Sequence, residues 1–149
     1  MSGTTEILNR KARRDYHIED TVEAGVELTG TEVKSLRSGQ ANLNDAFARV
    51  EKGQLWLYNF DISPYDKGNR ENHEPKRTRR LLVHKLEVRR LDEAVSRAGR
   101  TLVALKGYFN ARQKFKILLG IGTGKNQRDK REDIKKRDTD RAIRRAMTR

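Results

Sequence analysis

The chain contains no cysteine, which excludes disulfides, thiolate metal sites and cysteine nucleophiles. Its three histidines, His17, His73 and His84, lack the i, i+4 spacing of a helical zinc site. No stretch approaches about 18 consecutive apolar residues, and the N-terminal sequence lacks the apolar core of a signal peptide. The sequence therefore predicts a cytoplasmic protein with no membrane segment, no bound metal and no other cofactor.

The chain has few acidic residues relative to basic ones. The 149 residues include 34 Lys and Arg against 21 Asp and Glu, for a formal net charge of +13. This excess predicts binding to a polyanion, with nucleic acid as the default partner. Aromatic residues are sparse, at 6%. Contacts to the backbone of a folded RNA over a wide surface are therefore favoured over stacking on successive single-stranded bases.

The charge pattern divides the chain into three segments. Residues 1–14 form a basic arm or short helix, with Asn9 placed to begin a helical turn. Residues 15–124 are predicted to form one folded domain. Residues 125–149 carry 11 basic and 5 acidic side chains and few apolar ones, so this tail is predicted to be disordered when free. Ile143 and Met147 share one helical face, which would allow the tail to fold against a polyanionic groove.

The first half of the domain shows local signals of each element type. A strand with a bulge at Gly25 is predicted to begin near Tyr16. Thr29 and Glu32 have the spacing of a capping box, and Gly39 can end the helix that follows. Two strands are predicted to meet in a hairpin turn at residues 51–53.

The second half contains a loop, a helix and two strands. Residues 66–80 have no large apolar side chain and are predicted to be an exposed loop. Apolar residues from Val88 to Ala98 recur at helical spacing and stop at Gly99. Two alternating strands are predicted on either side of a turn at residues 110–112. The pattern indicates a mainly β protein with short helices: a small closed antiparallel β-barrel of oligonucleotide-binding type, with five or six strands and about three helices.

Trp56, Tyr58 and Phe60 alternate along the predicted hairpin and are expected to share one face, with Leu55 and Leu57 on the other. Either face could be core. Outward aromatic rings could stack on bases, although packing under a helix is the more common use of such rings.

The stretch LGIGTGKN, residues 119–126, does not satisfy the requirements of a phosphate-binding loop. Its glycines have the wrong spacing, and Asn126 stands where a Ser or Thr would hold Mg²⁺. The glycines are instead predicted to let the last strand lie close to another backbone. Asp61, Asp66, Glu71 and Glu74 are acids that no predicted rigid element places together. We therefore expect no catalytic residues and no enzymatic activity.

Five stretches of sequence are distinctive together. They are NRKARRDY from Asn9, EAGVELTGTEVKSLRSGQANL from Glu23, ISPYDKGN from Ile62, RTRRLLVHKLE from Arg77 and GKNQRDKREDIKKRD from Gly124. In this order they closely resemble the SmpB family of SsrA-binding proteins, and GTEVKSLR alone is quite specific. The resemblance runs from about Asn9 to the last residue.

The resemblance implies a non-enzymatic role in trans-translation, the rescue of stalled bacterial ribosomes. A family member binds the tRNA-like part of transfer-messenger RNA (SsrA) and helps deliver it, with elongation factor Tu and GTP, to ribosomes stalled without a stop codon. Its barrel takes the place of the missing anticodon arm, and its tail enters the empty mRNA channel of the small subunit beyond the decoding centre. A monomer is expected. The alternative is a ribosomal or ribosome-assembly protein that binds ribosomal RNA constitutively.

By the same resemblance, Asn9, Glu23, Leu82 and Lys116 match positions that support RNA binding in the family. Lys116 could neutralise a phosphate, Asn9 could offer its amide to a base edge or sugar, and Leu82 could abut an unstacked base. Glu23 could accept hydrogen bonds from RNA directly or orient a nearby arginine, and both alternatives stay open. The full predicted RNA-binding set is Asn9, Lys11, Arg13, Glu23, Lys34, Arg37, Arg77, Arg79, Arg80, Leu82, Lys114, Lys116 and Lys125. The tail residues predicted to contact the decoding centre and mRNA channel are Arg128, Asp129, Lys130, Arg131, Lys135, Lys136, Arg137, Ile143 and Met147.

Overall fold

The computed structural model describes residues 6–65 and 72–125. Within these ranges the chain forms nine strands and three helices. The strands are β1 Glu6–Leu8, β2 Tyr16–Val26, β3 Ala41–Asn42, β4 Phe47–Glu51, β5 Gln54–Tyr58, β6 Asp61–Ile62, β7 Arg79–Leu82, β8 Thr101–Phe109 and β9 Phe115–Gly124. The helices are α1 Ala12–Asp15, α2 Gly30–Arg37 and α3 Lys85–Ser96. The tail residues from Arg128 to Met147 that were predicted to contact the ribosome lie outside the described residues.

Six strands close into an antiparallel ring in the order β8, β4, β5, β7, β2, β9 and back to β8. β1 adds to β8 at the side, and β3 pairs with β6 in a separate two-stranded ribbon. The ring encloses a core of aliphatic and aromatic side chains that includes Leu57, Phe60 and Ile117, each without exposed surface. The mainly β fold with three helices confirms the predicted class. The strand β1 was not predicted, because three residues are too few to show the alternation of polar and apolar side chains that indicates a strand.

β2 and β9 form the longest antiparallel pair of the ring. The register shifts between Ile18 and Asp20, so the predicted bulge at Gly25 is wrong. A Cβ on Gly25 would make ordinary contacts, 3.4 Å from Leu82 Cβ and 3.5 Å from Lys116 Nζ, so these two side chains from neighbouring strands lie close beside this position.

The glycines near the end of β9 allow close approach between strands. A Cβ on Gly122 would overlap the backbone carbonyl of His17 on β2, so another residue would require the strands to separate. The prediction that these glycines bring the last strand close to another backbone is confirmed at Gly122, whereas a Cβ on Gly120 would meet the side chains of Leu105 and Ile18. The stretch is strand up to Gly124, which also rules out the strand–loop–helix context of a phosphate-binding loop.

The β4–β5 hairpin turns at Lys52 and Gly53, whose φ angles are +52° and +75°. Two successive positive φ values are typical of the tight turns that match strand twist, and they confirm the predicted turn. Leu55 and Leu57 face the core, while Trp56 and Tyr58 are half-buried on the other side.

Phe60 does not share the face of Trp56 and Tyr58, so that prediction is wrong. β5 ends at Tyr58, and the positive φ of Asn59, +61°, turns the chain so that Phe60 becomes fully buried. The alternation of a strand therefore does not extend to Phe60.

Helix α2 begins with the predicted capping box. Thr29 Oγ1 accepts a hydrogen bond from the Glu32 amide at 3.4 Å, and Glu32 Oε1 accepts one from the Thr29 amide at 2.9 Å. Gly39 follows the helix with a φ of +72°, as predicted. α3 packs on the ring through Leu91, which is fully buried, and Gly99 follows with a φ of +64°. Among the described residues, no helix is long and apolar enough to cross a membrane.

Candidate nucleic-acid interface

A surface groove of about 600 Å³ lies where β2, β7 and β9 meet the beginning of α3. We refer to it as the β2–β7–α3 groove. Its lining residues are Thr21, Val22, Glu23, Gly25, Leu82, Val83, His84, Glu87, Arg90 and Lys116. The groove combines an apolar wall with side chains of both charges, which is the composition expected where bases and phosphates must both be contacted.

The strand register brings Glu23, Leu82 and Lys116 together in this groove. Gly25 on β2 is paired with Leu82 of β7 on one side and with Lys116 of β9 on the other. Glu23 lies two residues before Gly25 and therefore projects from the same face of β2. Three predicted RNA-binding residues that are far apart in sequence thus surround one glycine.

Each of the three side chains can offer a different interaction. Leu82 is 46% exposed, which is high for a large apolar residue in a central strand. The Lys116 ammonium lies beside Gly25, 3.5 Å from the position that a Cβ on this residue would occupy. The Glu23 carboxylate accepts a hydrogen bond from the Tyr108 hydroxyl. Burial and this hydrogen bond raise the pKa of Tyr108 to about 12, so the phenol stays protonated at neutral pH and remains a donor.

The α3 side of the groove carries charges that the sequence analysis did not select. Arg90 pairs with Asp20 of β2 and, at 3.3 Å, with Glu87 one helical turn earlier. Helical periodicity alone predicted α3 but did not show that this face would lie against β2. The i, i+3 spacing of Glu87 and Arg90 was the one sequence feature that indicated an ion pair on this face of α3.

Asn9 lies away from the groove and its amide group is used inside the protein. The residue is 8% exposed, and its Nδ2 donates to the carbonyl of Ala104 at 2.7 Å. Its Oδ1 accepts from the amides of Lys11 and Ala12, both at 3.1 Å, so Asn9 supports the turn that leads into α1, while the helix itself begins three residues later than predicted, at Ala12. The expectation that this amide faces a base or sugar does not fit these contacts. Asn9 holds the start of α1, where Lys11 immediately precedes the helix and Arg13 lies within it, and both of these side chains are exposed.

Arg79 is a correction to the predicted RNA-binding set. It was expected on an exposed loop, but it begins β7 and has no exposed surface. Arg79 Nε donates to Glu32 Oε2 at 2.6 Å, and the other guanidinium nitrogens donate to carbonyls of Phe60, Pro75 and Arg77. Burial of a guanidinium is tolerated here because a buried carboxylate and three carbonyls satisfy it. Arg79 therefore has no surface to offer to RNA.

Arg77 shares the same carboxylate. Its Nε and Nη2 donate to Glu32 at 3.0 and 2.7 Å, and Nη2 also donates to the Glu27 carbonyl at 3.2 Å. The cluster of Glu32, Arg77 and Arg79 joins α2 to β7 and to the segment before it; Glu32 and Arg79 are buried, and the Arg77 side chain is 32% exposed. Glu32 was predicted only as part of the capping box. Its carboxylate both caps the Thr29 amide and pairs with Arg77 and Arg79.

Burial alone would raise the pKa of Glu32, but hydrogen bonds from Arg77, the Thr29 amide and Arg79 outweigh burial and hold the pKa below the ordinary value of 4.5. A carboxyl group with a lowered folded-state pKa stabilises the fold fully above its unfolded pKa and loses this contribution as the pH falls.

We therefore expect the free energy of unfolding to decrease as the pH falls below about 4.5, and less steeply in Glu32→Gln, by up to about 1.4 kcal/mol per pH unit. Denaturant titrations from pH 7 to pH 3 measure both slopes. Identical slopes in the two proteins would show that Glu32 does not titrate as described.

The remaining predicted RNA-binding residues are dispersed around the ring and do not line the groove. Lys34 Nζ lies 5.4 Å from the centre of the Tyr65 ring, and the Arg37 guanidinium lies at the same distance from Phe109. Lys114 is exposed at the β8–β9 turn. The other two are Arg80, whose guanidinium is 3.8 Å from Glu27, and Lys125, whose amide donates to Asp15 O at 2.8 Å.

No group of histidine and acidic side chains able to hold a metal ion occurs in the two described ranges. A closed antiparallel ring with a groove of mixed polarity, in a chain of net charge +13, defines the class as a small RNA-binding protein with an OB-like fold.

Comparison with known proteins identifies the family. The model of the SmpB protein family matches residues 6–149, and the chain belongs to this family. The SsrA-binding protein of Desulforamulus reducens is 59% identical over 139 residues, covering 93% of this chain and 86% of the relative. That of Moorella thermoacetica is 57% identical over 139 residues, covering 93% and 90%. A solved structure described as "tmRNA-SmpB: a journey to the center of the bacterial ribosome" is 49% identical, has a TM-score of 0.70, and is matched over 87% of this chain and 94% of that one.

Proposed function

We propose that this protein binds the tRNA-like domain of transfer-messenger RNA and helps deliver that RNA to stalled ribosomes in trans-translation. The observation that carries the proposal is the meeting of Glu23, Leu82 and Lys116 in the β2–β7–α3 groove. The names of the relatives and of the solved structure, which refer to SsrA, tmRNA and the ribosome, support the same partners.

Within the groove, each side chain has a distinct part in RNA recognition. Lys116 neutralises a phosphate, which contributes affinity that depends on salt. Leu82 packs against the face of a base that is not stacked in a helix. Glu23 would repel phosphate, so it accepts hydrogen bonds from exocyclic base amines or a ribose 2′-hydroxyl. This combination favours a folded RNA with an unstacked element over a plain duplex.

The delivery step requires partners beyond the RNA. Elongation factor Tu with GTP accompanies the RNA complex, and GTP hydrolysis belongs to that factor rather than to this protein. The protein acts as a monomer in the cytoplasm, and residues 126–149 enter the empty mRNA channel of the small subunit. The high density of basic side chains in that segment, from Arg128 to Arg149, supports a ribosomal RNA environment for it.

Replacing Lys116 by Glu is expected to weaken binding to the tRNA-like domain by about tenfold or more and to reduce the slope of log affinity against log salt by about one. Both effects follow because one phosphate contact becomes a repulsion. Binding titrations at several salt concentrations measure affinity and slope together.

The matched control is Lys76→Glu, which makes the same charge reversal at an exposed position outside the groove. It should leave the slope close to that of the wild type. Equal losses in the two variants would mean that total charge, and not the groove, determines RNA binding.

A further inference from the structure

Glu23 is held by a tyrosine from a strand that does not neighbour its own. β9 lies between β2 and β8 in the ring, and Tyr108 of β8 is directly opposite Lys116 of β9. The Tyr108 hydroxyl reaches across β9 and donates to Oε2 of Glu23. Lys116 is paired with Gly25 of β2, and Glu23 lies two residues before Gly25, so the Tyr108 side chain reaches Glu23 diagonally across β9 at the margin of the β2–β7–α3 groove.

The ring of Tyr108 is itself supported by a cation. Lys106 Nζ lies 5.4 Å from the centre of the ring and 3.6 Å from Glu6 Oε1 of β1. The positive charge over the ring and the salt bridge to β1 restrict the orientations available to the phenol. Burial contributes most to the raised pKa of Tyr108 and the hydrogen bond that it donates to Glu23 adds to it, which is consistent with a hydroxyl that keeps its proton at this place.

An exposed glutamate without a partner samples many rotamers, and ordering it on binding has an entropic cost. A hydrogen bond to one carboxylate oxygen selects an orientation before RNA arrives. A carboxylate has two oxygens and about four acceptor positions, so one donor leaves capacity for a donor from RNA. The benefit to folding is small because the pair is exposed to solvent.

We propose that Tyr108 is a positioning residue for RNA recognition: it orients the Glu23 carboxylate so that the remaining acceptor positions receive a base amine or a 2′-hydroxyl of the tRNA-like RNA. The inference rests on the proposed function and specifies how one residue of the groove is prepared for binding. It also decides between the two alternatives for Glu23, because the described partner of its carboxylate is a neutral hydroxyl and not an arginine that Glu23 would orient.

The test compares wild type, Tyr108→Phe, Glu23→Gln and the double variant in binding to the tRNA-like domain of transfer-messenger RNA. We expect each single variant to weaken binding by about three- to tenfold, which is the range for an ordinary solvent-exposed hydrogen bond. The double variant should be no weaker than Glu23→Gln alone, because both changes remove the same interaction. The salt slope should stay unchanged in all four, since no phosphate contact is lost.

The chain offers a matched control in Tyr58, whose hydroxyl donates to Glu51 Oε1 at 2.6 Å on the β4–β5 hairpin. Tyr58→Phe removes the same kind of exposed hydrogen bond away from the groove and should leave RNA binding unchanged. A second readout is the titration of Tyr108 followed by ultraviolet absorbance, in which the pKa should fall below about 12 in Glu23→Gln but stay above its ordinary value, because burial remains.

Two results would overturn the inference while the proposed function stands. One is wild-type affinity in Tyr108→Phe alongside weakened binding in Glu23→Gln, and the other is losses that add in the double variant. A wild-type protein with no preference for the tRNA-like domain over ordinary tRNA would instead remove the proposed function, and the inference with it.

Discussion

Replacing Arg79 by alanine is expected to lower the free energy of unfolding by about 3–5 kcal/mol, the range for removing one partner of a buried ion pair. Arg79 has no exposed surface, and it satisfies the buried Glu32 carboxylate together with carbonyls from three residues. Its loss leaves Glu32 with one arginine and leaves buried carbonyls without donors. Denaturant unfolding at neutral pH measures the change.

Arg80 provides the matched control, because it follows Arg79 in β7 and points to the opposite side. Its side chain is 43% exposed and its guanidinium is 3.8 Å from Glu27, so Arg80→Ala should cost less than about 1 kcal/mol. Arg79→Lys keeps the charge but loses the planar guanidinium and its several donors. Its loss of unfolding free energy should lie between those of Arg79→Ala and Arg80→Ala. Similar stabilities for Arg79→Ala and Arg80→Ala would contradict the role of the buried ion pair.

Truncation after Lys125 is expected to abolish tagging on stalled ribosomes while leaving binding to the tRNA-like domain nearly intact. The truncated chain keeps the groove and the hydrogen bond from the Lys125 amide to Asp15. It loses 10 basic and 5 acidic side chains and so retains +8 of the +13 charge. Binding to the isolated domain should therefore fall only modestly, since most of the attraction to phosphate remains.

A reconstituted tagging assay and an RNA titration measure the two activities separately. Full-length Lys116→Glu supplies the opposite pattern, with weakened RNA binding and an intact tail. Equal loss of RNA binding and tagging in the truncated chain would contradict the assignment of RNA binding to the ring and of ribosome engagement to the tail.

The elements that were correctly predicted depend on chemistry within a few residues. The capping box of Thr29 and Glu32, the positive φ at Gly39 and the turn at Lys52 and Gly53 each follow from local backbone requirements. Such signals are readable without knowledge of the tertiary structure. They also suffice for the class of fold, since alternating strands joined by short turns have few ways to bury their apolar faces.

The error at Phe60 is local, since it follows from the positive φ of Asn59. The misplacement of Arg79 and the omission of Tyr108, by contrast, each depend on a distant partner. Arg79 was placed on an exposed loop since its burial requires Glu32, 47 residues earlier. The partner of Glu23 is Tyr108, 85 residues later, and neither residue type nor spacing indicates the pair. A charged side chain can be buried wherever the fold supplies its counter-charge, and sequence alone does not reveal that supply.

The residues of the candidate site could be predicted only in part. Family resemblance selected Glu23, Leu82 and Lys116 individually, without explaining why they act together. The register does so, because β2 pairs with β7 and β9 at Gly25 and thereby brings all three residues to the lining of one groove. Arg90, Glu87 and His84 complete the groove and were missed, since their place depends on how α3 packs beside β2.

The most direct test of the central claim is a binding titration at several salt concentrations with three RNAs: the tRNA-like domain of transfer-messenger RNA, an ordinary tRNA and a plain RNA duplex. We expect a marked preference for the first that persists at physiological salt and is reduced by Lys116→Glu, because the groove combines a phosphate contact with contacts to an unstacked element. Equal affinity for all three, lost together as salt rises, would show that charge alone drives binding and would favour a constitutive ribosomal RNA-binding role.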